Sequence, residues 1–119
     1  MIMIGAREML HTTPLTLNKE YRRVYYRGRA FSTPIAVVYL LKNHKAVNRL
    51  GLTASKKTGC AVRRNRARRI MKEAYRLLEQ QLPRGYDYVL VARARTAEIK
   101  TQEMMAVLQK AAAKLAGEK

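Results

Sequence analysis

RLGLTASKKTGCAVRRNRARRIMKEAYRLLEQQLPRGYDYVLVA, residues 49–92, is the stretch whose pattern decides the fold. Arg49 to Ser55 alternates in part between apolar and polar residues, as a half-buried strand does. Lys56 to Ala61, with Gly59 inside it, reads as a turn. From about Val62 to Gln81 the apolar residues Ala67, Ile70, Met71, Ala74, Leu77 and Leu78 recur at spacings of three and four, one stripe of a helix. Pro83 stops that helix and Gly85 completes the turn. Tyr88-Val89-Leu90-Val91-Ala92 is a nearly continuous apolar run, and 86–92 reads as a buried strand. The unit is strand, helix, strand. If its strands are parallel, a right-handed crossover is the default.

Outward from this unit the signals are weaker but consistent. Residues 101–116 read as a last helix, with Thr101 as its cap and Met104, Met105, Leu108, Ala112 and Leu115 as its buried stripe. Residues 18–28 read as a short helix, with Asn18 as N-cap, Glu20 in the first turn and Gly28 as its stop. Tyr21, Val24 and Tyr25 share one face of it. Lys19, Arg22, Arg23 and Arg27 make the rest basic. Residues 29–42 read as extended, broken at Ser32-Thr33-Pro34, with Ile35 to Leu41 a β-rich run. Asn43 to Asn48 is a polar turn, so antiparallel pairing of 35–41 with 49–55 is the simplest arrangement. Residues 1–14 read as a poorly ordered extension, 15–116 as a single domain and 117–119 as a tail. The expected class is α+β, an α/β sandwich: helix, three strands, long basic helix, strand, C-terminal helix, on a four-stranded sheet.

Charge narrows the function. In 119 residues, Lys and Arg number 25 against 8 Asp and Glu, a net charge of +17. Such a field repels itself and calls for a neutralising partner. Nucleic acid is the commonest partner of so basic a domain. A membrane surface would require a basic helix with a bulky apolar face or a lipid anchor, and no anchor motif is present. The single Cys60 excludes an internal disulfide and reads as a small inert thiol. His11 and His44 give it no zinc-ligand spacing. The apolar start Met1 to Ile4 is too short for a signal peptide, and no window of 18 residues is apolar. A cytoplasmic protein is expected.

The cations are concentrated. Nine lie between Ser55 and Arg76: Lys56, Lys57, Arg63, Arg64, Arg66, Arg68, Arg69, Lys72 and Arg76, opposed only by Glu73. Like charges three and four apart repel on a helix, so so dense a cluster is better explained by polyanion binding than by a solvated face. Arginine's planar fork pairs two phosphate oxygens at once and stacks on bases. Asn65, between Arg64 and Arg66, is either a solvated amide or a hydrogen-bonding group aimed at RNA.

At Lys56-Lys57-Thr58-Gly59-Cys60-Ala61-Val62-Arg63-Arg64-Asn65-Arg66-Ala67-Arg68-Arg69 the chain resembles the bacterial ribonuclease P protein family, with its Arg-Asn-Arg motif. Arg49 to Ser55 resembles the strand that leads into that motif. The likeness runs from about Leu15 to Leu115. It implies an α/β sandwich similar to a domain of a small-subunit ribosomal protein and of a translational GTPase, with a left-handed strand–helix–strand crossover in place of the default. It also implies a partner: the catalytic RNA of ribonuclease P. Arg64, Asn65, Arg66, Arg68 and Arg69 correspond to the family's RNA-binding helix, with Arg63 and Lys72 beside them and Lys56 and Lys57 in the adjacent loop.

The resemblance implies a second surface, a cleft between the first helix and the sheet that holds the single-stranded 5′ leader of precursor tRNA. Tyr21, Arg22, Tyr25, Arg27, Phe31, Val37 and Tyr39 fall where that cleft's residues would be. Aromatic faces stack on bases without demanding a sequence, although such rings also serve as ordinary core. No catalytic residue is expected on the chain: Glu8, Glu20, Glu73, Glu79, Asp87, Glu98, Glu103 and Glu118 form no paired cluster, and no Cys–His or Ser–His arrangement is visible. In the family the RNA subunit carries the hydrolytic site and binds the Mg2+, so the chain is part of an endoribonuclease only as a holoenzyme subunit, inactive alone. Two other readings explain the charge. A ribosomal RNA binder leaves the Lys56–Arg69 motif unexplained. A DNA-binding protein would place base-reading side chains on one exposed helix face.

Overall fold

The computed structural model describes residues 9–116. A single mixed sheet of five strands holds three helices. Its strands are β1 (Thr12–Pro14), β2 (Arg29–Ser32), β3 (Ala36–Lys42), β4 (Asn48–Thr53) and β5 (Tyr86–Ala92). The helices are α1 (Asn18–Arg27), α2 (Ala61–Leu78) and α3 (Thr101–Ala116). The strand order is β1-β4-β5-β3-β2. The strand–helix–strand unit is present, with β4 and β5 parallel and adjacent.

The expected β3–β4 hairpin does not form. β5 lies between them, antiparallel to β3 and parallel to β4. The reason is burial: β5 carries the continuous apolar run Tyr88 to Ala92, and the centre of the sheet buries it on both faces. Leu50, Leu52 and Thr53 of β4 pair with Tyr88, Leu90 and Val91.

Alternation along the strands divides the side chains between two faces. Ala36, Val38, Leu40, Tyr88, Leu90 and Ala92 point to α2 and α3 and form the main core with Met71, Tyr75, Leu78, Met104 and Leu108. Val89 points the other way and packs with Leu15 and Val24, flanked by Tyr21, Tyr39, Leu41 and Val91. Thus α1 covers one face and α2 with α3 the other. Burying each large apolar side chain contributes about 1.5–3 kcal/mol, so the α2–α3 face carries most of the stability.

Several local expectations shift. Thr12–Pro14, expected to be disordered, is a fifth strand, parallel to β4; residues 1–8 and the tail 117–119 lie outside the described residues. Leu17, not Asn18, precedes the first turn of α1, and the Glu20 carboxylate accepts the N–H groups of Thr16 and Leu17 at 3.2 and 3.1 Å. Gly28 ends α1 as expected, its N–H donating to Val24 at 2.8 Å. The long helix starts at Ala61 and ends at Leu78, with a 3-10 turn at Glu79–Gln81. Tyr75, rather than Leu77, completes its buried stripe: Tyr75 is fully buried and Leu77 is exposed. Thr101 is the first residue of α3, not its cap; Glu103 accepts the Lys100 N–H at 3.0 Å.

Candidate nucleic-acid interface

Because β4 and β5 are parallel, both finish at the same end of the sheet, where α2 begins. The connection from β4 is a 3-10 turn, Lys56–Thr58, capped by the Ser55 hydroxyl. Gly59 follows with φ 132°, a backbone that side chains rarely adopt, and a Cβ there would lie 2.7 Å from Arg63 Cδ. This is why the motif carries glycine at that position.

The cations of α2 divide into two groups. Arg63, Arg64 and Arg68 brace the structure. Arg63 donates to the carbonyls of Thr58 and Ala94 at 3.2 and 2.9 Å and pairs with Glu98 at 3.0 Å. Arg64 donates to the Gly59 carbonyl at 3.0 Å. Arg68 donates to the Ala54 carbonyl at 3.3 Å and to Asn65 Oδ1 at 3.2 Å. These bonds hold the motif loop and the 94–98 turn against the first two turns of α2. Asn65 is exposed and holds Arg68 in place. Arg66, Arg69 and Lys72 are exposed, as are Lys56 and Lys57 in the loop. Among the described residues these five cations make no hydrogen bond or ion pair, so their charge is free for an external anion.

Cys60 is exposed at the N-terminus of α2. Backbone N–H groups of Arg63 and Val62, with the Arg63 charge, hold its pKa below the ordinary value.

On the opposite face of the sheet, α1 leaves a cleft lined by rings. Tyr25 lies edge-on to Tyr39, centroids 5.0 Å apart, and 6.5 Å from Tyr21. Its hydroxyl meets Thr53 Oγ1 at 3.1 Å. Tyr21 packs over Gly51, where a Cβ would fall 2.5 Å from the ring, so only glycine admits this close approach. The Tyr21 hydroxyl donates to the Leu15 carbonyl at 3.4 Å, and burial pushes its pKa up. Val37 and Val91 pair across β3 and β5 on this same face, both half-buried. Tyr21, Tyr25, Val37 and Tyr39 therefore come together, with Arg22 and Arg27 exposed on α1. Phe31 does not join them. It pairs with Val38, so its ring points to the α3 side and packs on the main core.

Two polar networks were not anticipated. Arg49 donates to Asp87 with both Nε and Nη2, at 2.9 and 2.8 Å, and to Glu20 with Nη1 at 2.8 Å. Asn43 adds a bond to Asp87 at 2.9 Å. This fastens the start of α1 to the sheet. Glu79, buried, accepts from the N–H groups of Leu10 and His11 at 2.7 and 2.9 Å and from the Thr12 hydroxyl at 2.5 Å. Tyr75 joins Thr12 to Asn48, which accepts from the Tyr86 N–H. No spacing rule marks such contacts, because their partners are up to 69 residues apart.

Among the described residues no three His, Cys, Asp or Glu side chains come together to hold a metal. No described helix is long and apolar enough to cross a membrane.

Free cations on one side of the sheet and a ring-lined cleft on the other define a small basic α+β domain suited to an extended polyanion. The family model described as Ribonuclease P matches residues 9–116. The ribonuclease P protein component of Clostridium botulinum is 49% identical over 77 residues, 64% of this chain and 69% of that protein. That of Alkaliphilus metalliredigens is 36% identical over 100 residues, 84% of this chain and 90% of that one. The Staphylococcus aureus RNase P protein structure superposes with TM-score 0.73 and 27% identity, over 87% of this chain and 94% of that chain. The chain belongs to the ribonuclease P protein family. It is a protein component of a tRNA-processing endoribonuclease, and as such a partner of RNA.

Proposed function

We propose that this chain assists a catalytic RNA in removing the 5′ leader from precursor tRNA, with its two faces engaging two RNAs. The free cations Lys56, Lys57, Arg66, Arg69 and Lys72 grip the phosphates of the ribonuclease P RNA, while Arg63, Arg64, Asn65 and Arg68 hold the motif in shape. The cleft of Tyr21, Tyr25, Val37 and Tyr39, rimmed by Arg22 and Arg27, takes the leader by stacking and charge. The RNA subunit binds the Mg2+ and carries the hydrolytic chemistry. The chain screens phosphate repulsion and holds the leader in place, in the cytoplasm, without a DNA or membrane partner. The observation that carries this reading is the set of five unpaired cations around the start of α2, with the acids Glu73 and Glu98 already engaged by Arg76 and Arg63.

The test is reconstitution with a bacterial ribonuclease P RNA and a 5′-extended precursor tRNA at low magnesium. Protein should strongly stimulate leader release, and the Arg66→Ala/Arg69→Ala double variant should lose most of that stimulation while remaining folded. Tight RNA binding without stimulation would favour a structural, ribosome-type RNA binder. Cleavage by the protein without RNA would overturn the assignment of chemistry to the RNA.

A further inference from the structure

The cleft accounts for only one side of α1. Its other side carries Tyr26, 90% exposed and the most exposed large hydrophobic residue described. Among the described residues its side chain makes no hydrogen bond, ion pair or ring contact. It adds nothing to the core, and tyrosine is a poorer helix former than lysine or alanine. Folding therefore gives no reason for a ring at this position.

Its neighbours supply one. With about 100° between successive residues of a helix, the order around α1 from the buried side is Tyr21, Tyr25, Asn18, Arg22, Tyr26, Lys19, Arg23. Aromatic and cationic side chains thus follow one another from the cleft over the back of the helix, interrupted only by Asn18 in its first turn. Arg22, Arg23, Tyr25, Tyr26 and Arg27 line one shallow hollow. Lys19, Arg22 and Arg23 are exposed, and among the described residues their side chains have no ion-pair partner. The only acid of α1, Glu20, is turned inward to Arg49 at 2.8 Å and does not neutralise them.

We propose that this outward face of α1, centred on Tyr26 with Arg23 and Lys19, is a second single-strand RNA site that takes the leader upstream of the cleft. The inference rests on the leader reading of the cleft and extends it. Rings interleaved with cations fit unpaired RNA, whose bases stack on aromatic faces while phosphates meet the cations. Duplex RNA hides its base faces and offers nothing to Tyr26. A membrane would need a bulky apolar face, and here one ring stands among cations. The site lies on the opposite side of the sheet from α2, so RNA gripped by the motif helix leaves it open.

The experiment uses the reconstituted holoenzyme and precursor tRNAs with two unstructured leaders, one just filling the cleft and one longer by about ten nucleotides. Affinity is measured for the native protein, Tyr26→Ala/Arg23→Ala, Tyr26→Phe and Tyr25→Ala. We expect the double variant to lose about tenfold on the long leader, in line with the loss of one stacked base, and nothing on the short one. Tyr26→Phe, which keeps the ring, should bind as the native protein does. No loss on the long leader, or equal loss on both, overturns the site. So does weakened binding of the RNA subunit alone, which would assign the surface to that partner. Tyr25→Ala reads the cleft separately through the short leader: no loss there would sink the cleft reading and leave the Tyr26 comparison intact. Both mutated side chains are exposed, so unchanged thermal melting confirms that the fold is not the cause.

Discussion

Glu79 shows how a single side chain turns an expected tail into structure. Burial alone would raise its pKa, but the bonds from Thr12, His11 and Leu10 outweigh that and hold it below the ordinary value of 4.5. The unfolded chain therefore binds the proton more readily than the folded one. The stabilisation is complete above about pH 4.5 and is lost as the pH falls through the lower folded value. Glu79→Gln should cost about 1–3 kcal/mol at neutral pH, since it replaces a charged acceptor of three donors with a neutral one. Urea unfolding at pH 7 and at pH 3.5 checks this. The deficit of the variant should shrink at the lower pH, and a constant deficit would show that the carboxylate charge is irrelevant. Amide exchange at Leu10 and His11 should quicken in the variant at pH 7.

At the scale of elements, the attachment of α1 depends on Arg49. Asp87 is buried, and Arg49 neutralises it with two hydrogen bonds while reaching Glu20 on the helix. Arg49→Met would leave a buried carboxylate with only Asn43 for a partner, a change that costs about 3–5 kcal/mol. Asp87→Leu in the same chain should recover much of that loss, because no unpaired charge remains. Denaturant titrations of the two single variants and the double variant read the coupling. Additive losses would mean that the pair does not act as a unit. The same elements mark what the sequence could disclose. The helices are legible because apolar spacing in Ala67, Met71 and Ala74 is a local signal, and the density of cations in the motif is legible too, but the engagement of Arg63, Arg64 and Arg68 is not, because the folded chain alone fixes their acceptors. The position of β5 between β3 and β4 was not, because pairing of remote strands leaves no trace in spacing. Phe31 was misassigned for a related reason: its face depends on the register with Val38, which only the assembled sheet fixes. Tyr75 is not marked by the apolar stripe because it carries a hydroxyl, which Thr12 and Asn48 satisfy inside the fold.

For the whole molecule the dominant fact is the net charge of +17. Cations held on one small domain repel each other, and the repulsion is least screened at low salt, where the screening length exceeds about 10 Å. The free cations that serve RNA binding must therefore cost folding stability. Arg66→Ala/Arg69→Ala should melt at a higher temperature than the native chain at low salt, by a few degrees, with the difference vanishing at high salt. The same variant should bind RNA with a salt dependence shallower by about one to two logarithmic units, one for each lost phosphate contact. Multivalent anions such as phosphate should raise the melting temperature of the native chain more than chloride at equal ionic strength. An anion that binds only the folded state at ten times its Kd adds about 1.4 kcal/mol. The double variant should gain less from phosphate. If it instead melts lower at low salt, Arg66 and Arg69 contribute to folding through contacts. The division of α2 into bracing and RNA-gripping cations would then be wrong.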